Sequence, residues 1–243
     1  MSADCGKHHF DECNCRAELH ARSLDRRRLL QAGLAVTVGS GLVGLRSRPA
    51  LAQTTLTPDA AIAELVAGNA RYVGKTITSL DEDLAEIRAN TVEKQEPFAA
   101  ILSCADSRVP VELVLDQSIG RLFTTRVAGN VASGDVIASL EYGAAVLGVK
   151  AILVLGHSGC GAVKAAIYGK PAPGQISSLY PYLRQAVDQG GHDQDAVGKA
   201  NAQIQAKTLA ESSPVIHELI AKNALKVVAG YYDLSSGKIT LLS

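Results

Sequence analysis

Two apolar runs, residues 98–103 (FAAILS) and 151–156 (AILVLG), carry no charge and are too short for a helix. Uninterrupted apolar runs of this length read as strands buried on both faces, the pattern of a parallel sheet. Residues 121–127 make a further strand by their β-branched content, and 226–234 with 238–242 make a hairpin around Ser235-Ser236-Gly237. Between these runs the apolar positions return at helical spacing. Thr57-Pro58-Asp59 is a helix start, with a capping hydroxyl and Pro at the first helical position, and Ile62, Leu65, Val66, Asn69 and Tyr72 follow at helical intervals as far as Gly74. Leu84, Ile87 and Arg88 mark a helix over 81–93, and PVELVL at 110–115 reads as a short one. Val136, Ile137, Leu140, Ala144 and Leu147 place a helix over 134–147, and others follow over 160–168, 175–189, 195–211 and 214–223. GKPAPG at 169–174 is a turn. Strands alternating with helices predict an α/β fold: a central, mostly parallel sheet flanked by helices, an N-terminal helical arm, and C-terminal helices with a hairpin. No internal repeat, low-complexity linker or second domain interrupts the pattern.

Residues 1–52 follow a different logic. Asp25 precedes Arg26-Arg27-Arg28-Leu29-Leu30, residues 29–45 are uncharged and rich in Gly and Ala, and Arg46 and Arg48 lead into Ala50-Leu51-Ala52. A twin arginine, a weakly apolar stretch and an Ala-x-Ala site form the layout of a twin-arginine export signal. The stretch is short for a membrane span, which needs about 20 apolar residues. The expectation is a cleaved signal over 1–52, a single domain over 53–243, a periplasmic or otherwise exported product, and no stable membrane span after cleavage. Ahead of the signal, Cys5, His8, His9, Cys13 and Cys15 form a tract able to bind metal, although a leader removed on export is the simpler reading.

Composition narrows the function classes. Lys plus Arg equals Asp plus Glu at 24 each, so no net positive charge points to nucleic acid. There is no Trp and only 4% aromatic residues, which argues against base-stacking platforms. Outside the first fifteen residues the chain holds two cysteines, Cys104 and Cys160, too few for a secreted disulfide framework.

Both of those cysteines lie just after the two buried runs. Cys104-Ala105-Asp106-Ser107-Arg108 follows the first, and His157-Ser158-Gly159-Cys160-Gly161 follows the second. In a parallel α/β sheet, functional residues collect beyond the carboxyl ends of the strands, so residues about fifty positions apart can converge. Two Cys and one His are the donor types of a catalytic zinc site, which keeps three protein ligands and one open position. Cys160 opens a helix, where main-chain N–H groups and the dipole favour a thiolate. Asp106 can serve as a fourth ligand or as an acceptor beside the metal, and an ion pair with Arg108 would keep it ionised and aimed. A closed structural zinc site and a Cys104–Cys160 disulfide are the competing readings of the same residues.

Together the two motifs resemble those of the β-class carbonic anhydrases, whose signature is Cys-x-Asp-Ser-Arg followed by His-x-x-Cys. CADSR at 104–108 and HSGC at 157–160 match it in full, and VAGN at 127–130, SLEY at 139–142 and VLGH at 154–157 look like the family as well. The resemblance runs from about Thr57 to the C-terminus. It implies one Zn2+ per subunit on Cys104, His157 and Cys160, and reversible hydration of carbon dioxide to bicarbonate and a proton by zinc-bound hydroxide. Zinc lowers the pKa of its water from about 15.7 to about 7 in the best-known case, and two thiolates make it a weaker Lewis acid, so a more alkaline working range is expected. The resemblance gives Asp106 and Arg108 the catalytic roles, with Asp106 on the metal only in a closed state in which its pair with Arg108 is broken. It also implies a homodimer or tetramer, with the N-terminal helices packed over a partner subunit. Two alternatives share the motifs: a relative that binds zinc and bicarbonate without turnover, and a hydrolase of carbonyl sulfide or carbon disulfide. The inhibitory bicarbonate pocket of one subgroup uses a Trp, which this chain lacks. Gln117 is a candidate for the substrate cleft. His192 and His217 read as solvated surface residues, and Asn130 and Tyr142 as loop geometry and packing.

Overall fold

A computed structural model describes residues 54–169 and 171–243. The export signal expected over 1–52, with its expected cleavage site, and the Cys/His tract at 5–15 lie outside the described residues.

The order of elements follows the sequence pattern. Helix α1 (Pro58–Val73) is capped by Thr57, whose hydroxyl accepts from the Ala60 N–H, with Pro58 in its first turn. Helix α2 (Leu84–Thr91) is shorter than the 81–93 that its spacing predicts. Asp83 accepts from the N–H groups of Ala85 and Glu86 and so fixes the start three residues later, and α2 buries none of its side chains. Strand β1 (Ala99–Ser103), helix α3 (Val111–Val114), strand β2 (Leu122–Arg126), helix α4 (Gly134–Ala145) and strand β3 (Ala151–His157) come next. Then follow helices α5 (Gly161–Tyr168), α6 (Tyr180–Gly190), α7 (Gln194–Ser212) and α8 (Pro214–Ala221), and strands β4 (Lys226–Tyr232) and β5 (Ile239–Leu242). The helix expected over 175–189 is split: Ile176–Leu179 is a 3-10 turn and the α-helix begins at Tyr180. Pro181 has no N–H to donate back into the preceding turn, so it sits in the first turn of α6.

The sheet runs β2-β1-β3-β4-β5, parallel throughout except for the antiparallel β4–β5 pair. All five residues of β1 and all seven of β3 are buried, because helices cover both faces. Alternate residues divide between the two sides. Ala100, Leu102, Ile152 and Val154 pack against Val136, Leu140, Ala202, Leu209 and Ile216 on one face. Ala99, Ile101, Leu153 and Leu155 pack against Ala61, Leu65, Val111 and Val114 on the other. Each fully buried Leu, Ile or Val contributes about 1.5–3 kcal/mol, so the two apolar runs found first in the sequence are the main attachment for both layers.

Two polar clips fasten the ends of this layered core. The Asn69 amide on α1 donates to the carbonyls of Val114 (3.0 Å) and Gly237 (2.9 Å) and accepts from the Ile239 N–H (2.8 Å), joining the first helix to the last hairpin. Asp116, just past α3, has its side chain fully buried and accepts from Arg71 Nε, Thr78 N (2.9 Å), Thr78 Oγ1 (3.0 Å) and Ser79 N (2.8 Å). Burial alone would raise its carboxyl, but Arg71 and the donors of Ser79 and Thr78 hold it well below the usual carboxylate range. A depressed folded-state value means that the stabilisation is complete above the unfolded aspartate range and fades as pH falls through about 4. Asp116→Ala is therefore expected to cost about 3 kcal/mol at neutral pH. Urea denaturation should show the gap to wild type narrowing below about pH 4.

Candidate metal centre

The chain path explains why the two motifs meet. From β1 it steps to β2 on one side, and β3 returns to the other side of β1. The switch point of this open sheet is therefore between β1 and β3, where α/β folds form a crevice at the carboxyl ends of the strands. Register pairs Ser103 with Leu155, so Cys104, one residue beyond β1, and His157, the last residue of β3, leave neighbouring strands at nearly the same level. Cys160 follows a turn at Gly159 (φ +67) and occupies the N-cap of α5 rather than its first helical residue.

All three side chains are buried, and their donor atoms lie within 4.8 Å of one another. The two sulfurs are 3.9 Å apart and both thiols are free, so the disulfide reading fails. His157 Nδ1 donates to the Ser158 carbonyl at 2.9 Å, which leaves the Nε2 lone pair facing the sulfurs. Nε2 is buried and has no hydrogen-bond partner. An unpaired buried acceptor costs about 1–3 kcal/mol, and a cation held jointly with two sulfurs removes that cost. Electrostatics agrees. The bond from Cys160 lowers the Cys104 thiol most; burial opposes it, and His157 and the Gly129 N–H lower it further, to about 4. The hydrogen bond shared with Cys104, burial and then the Cys104 charge push Cys160 up, against the lowering pull of the Val163 and Ala162 N–H groups at the start of α5. Only a cation lets both thiols ionise together, so the donor set fits a divalent soft or borderline metal such as zinc.

Asp106 and Arg108 form the rim. Arg108 donates Nε to Oδ1 (3.0 Å), Nη2 to Oδ2 (2.8 Å) and its own N–H to Oδ1 (2.9 Å). These bonds hold the Asp106 carboxyl far below its ordinary range. Arg108 Nη2 also reaches the Gly159 carbonyl at 3.1 Å, which joins the two motif loops. Asp106 Oδ2 stands 4.0 Å from His157 Nε2, at the edge of the donor cluster while paired to Arg108.

These five residues lie together in the structure, backed by groups that the sequence expectations do not include. Arg126, at the end of β2, donates to the carbonyls of Cys104 (3.1 Å) and Asp106 (2.6 Å) and so braces the loop that carries both. Gln194 Nε2 donates to the Cys160 carbonyl at 2.8 Å. The Gly129 N–H points at Cys104 Sγ at 3.3 Å. No spacing or composition in the sequence marks these partners. Gln117 does not join the centre: its amide donates to Glu64 and to the Leu115 carbonyl. His217 lies on α8, with Nδ1 at 3.3 Å from the Ala210 carbonyl. Asn130 adopts positive φ (+45) in a buried loop, and Tyr142 packs against Phe123.

Residues 99–239 match the family model for carbonic anhydrase. Carbonic anhydrase 2 of Mycobacterium tuberculosis is 34% identical over 192 residues, covering 76% of this chain and 92% of the relative. The carbonic anhydrase of Mycolicibacterium smegmatis is 33% identical, covering 76% and 94%. Among solved structures, the β-carbonic anhydrase of Aspergillus fumigatus superposes with a TM-score of 0.61 at 26% identity over 75% of this chain and 90% of that one. The Coccomyxa β-carbonic anhydrase in complex with acetazolamide gives 0.60 at 25% identity, over 74% and 86%. With the family model spanning the whole parallel sheet and relatives aligned along most of their own length, the chain belongs to the β-class carbonic anhydrases, the zinc enzymes that hydrate carbon dioxide to bicarbonate.

Proposed function

We propose that Cys104, His157 and Cys160 hold the zinc of this carbon dioxide hydratase, and that Asp106 and Arg108 orient the reacting groups beside it. The observation that carries the assignment is the buried, unpartnered His157 Nε2 aimed at two free thiols. Zinc bound there supplies a Lewis acid that brings the ionisation of water toward neutral pH. The chain supplies the rest. Asp106, kept ionised by Arg108, accepts a hydrogen bond from the attacking water and turns its lone pair toward the carbon of carbon dioxide. Arg108 holds Asp106 away from the metal donors by two side-chain bonds and ties it to the His-Cys loop through the Gly159 carbonyl. Arg126 fixes the carbonyls on either side of Ala105, so the Cys104 sulfur and the Asp106 carboxylate keep their relative directions. Stopped-flow hydration of carbon dioxide by the zinc-loaded protein at mildly alkaline pH tests the reading. Rapid proton release is expected. Zinc uptake with no turnover on carbon dioxide, but release of sulfide from carbonyl sulfide, would transfer the same machinery to a sulfur substrate.

Two further properties belong to this proposal. Arg26-Arg27 with Ala50-Leu51-Ala52 supports export by the twin-arginine route and cleavage after residue 52. The mature N-terminus should then begin at Gln53, as read by mass spectrometry of the periplasmic protein. No helix among the described residues is long and apolar enough to cross a membrane. Exposed Leu80, Leu84, Val92 and Ile119 on and around α2 support a homodimer or tetramer in which these side chains are covered. A Sordaria macrospora structure that shares this fold is described as tetrameric.

A further inference from the structure

Helix α7 contributes no metal donor, yet it carries two buried amides that have no obvious place in an apolar layer. Asn201 is fully buried and Gln205, one turn on, is 2% exposed. Asn201 Nδ2 donates to the Gly129 carbonyl at 2.8 Å. Gln205 Nε2 donates to Asn201 Oδ1 at 3.0 Å and to the Tyr182 carbonyl at 3.0 Å, and Gln205 Oε1 accepts from the Ala132 N–H at 2.9 Å. Every polar atom of the pair is therefore engaged, and three of the four bonds end on the loop or helix that faces the metal donors. The fourth, between the two amides, fixes which way Asn201 is turned.

The chain of bonds ends on sulfur. Gly129, whose carbonyl Asn201 holds, aims its own N–H at Cys104 Sγ at 3.3 Å. Gly129 has φ +76, and a Cβ there would meet Ala162 Cβ at 3.2 Å and Leu183 at 3.5 Å, so a side chain is excluded by both conformation and space. The backbone path through Gly129 is thus an uncommon one, and Asn201 is the side chain that anchors it. An N–H donated to a thiolate withdraws electron density from the sulfur, and such outer partners orient ligands and tune the ion they bind.

We propose that Asn201, steered by Gln205, is a positioning residue for the metal centre. Through the Gly129 carbonyl it holds the Gly129 N–H on the Cys104 sulfur and so sets both the metal affinity and the electron donation of that thiolate. The inference rests on the metal reading given above and goes beyond it by assigning a role to residues that touch neither metal nor substrate.

The test uses the full chain, stripped of metal and titrated with Zn2+ against a chromophoric chelator, and separately with Co2+ to read the thiolate-to-metal charge-transfer band. Asn201→Asp keeps the shape but removes the donor that faces the Gly129 carbonyl. About tenfold or more weaker Zn2+ binding is expected, with a displaced Co2+ band. Asn201→Gln, which retains an amide donor, should recover part of both. Gln205→Glu should move the band the same way by a smaller amount, and it serves as the probe if Asn201→Asp does not fold. A lowered melting temperature with Zn2+ affinity within twofold of wild type and an unmoved Co2+ band would mean that the amides only support packing, and the proposal would fall. Wild-type protein that takes up neither metal would instead overturn the metal reading itself, and this inference with it.

Discussion

His157→Ala is expected to abolish metal retention and, with it, carbon dioxide hydration. Three donors are the number a catalytic zinc site keeps, and the variant has two. If a binding free energy of roughly 10–16 kcal/mol is shared among them, losing one removes about 4 kcal/mol, or about a thousandfold in affinity. The fold should survive. Removing the imidazole also removes the unpaired Nε2 and leaves β3 with its apolar contacts intact. Cys160→Ala should behave alike. Metal content by mass spectrometry after extensive dialysis, read beside circular dichroism, separates loss of the ligand from loss of the fold. Stoichiometric zinc in either variant would remove that residue from the donor set.

Asp106→Asn should keep its zinc and lose about 10²–10⁴ in kcat/KM. The substitution changes little volume and acts through the polarity of the acceptor. Asp106 takes three bonds from Arg108, two on Oδ1 and one on Oδ2. An asparagine can keep the pair on its carbonyl oxygen, but its NH2 then faces Arg108 Nη2, donor against donor. The oxygen nearest His157, the one that would accept from the attacking water, becomes the group that cannot accept. Zinc content equal to wild type with turnover cut by this factor is the expected pair of results. An Asn variant as active as wild type would remove Asp106 from the chemistry.

The parts of this molecule that could be read in the sequence are those with a short-range signature. The β1 and β3 runs were legible because burial on both faces leaves no polar position, and the motif loops because Cys, His, Asp and Arg are costly residues to place at the ends of such strands. Helix limits were less legible. Asp83 moved the start of α2 and Pro181 split the 175–189 helix, and each effect depends on the local hydrogen bonding of one residue. The supports of the site were not legible, because Arg126 acts on carbonyls 20 and 22 residues away and Asn201 on one 72 residues away. Nothing in composition or spacing tells a bracing amide from a surface one. Gln117 shows the converse: a plausible residue type near the motif turned out to serve α1 through Glu64.

The Asn69 clip carries a consequence for how the chain is made. Its amide on the first helix is satisfied only by carbonyl and N–H groups at Val114, Gly237 and Ile239, the last two separated from it by 168 and 170 residues. While the polypeptide is still emerging from the ribosome, α1 has been synthesised but the Gly237 and Ile239 partners of Asn69 have not. A buried amide with unmet bonds resists early docking, so α1 should close onto the sheet after release, when β5 has paired with β4. The first helix of the described residues would be among the last parts to settle, and trimming a few residues from the C-terminus would loosen α1.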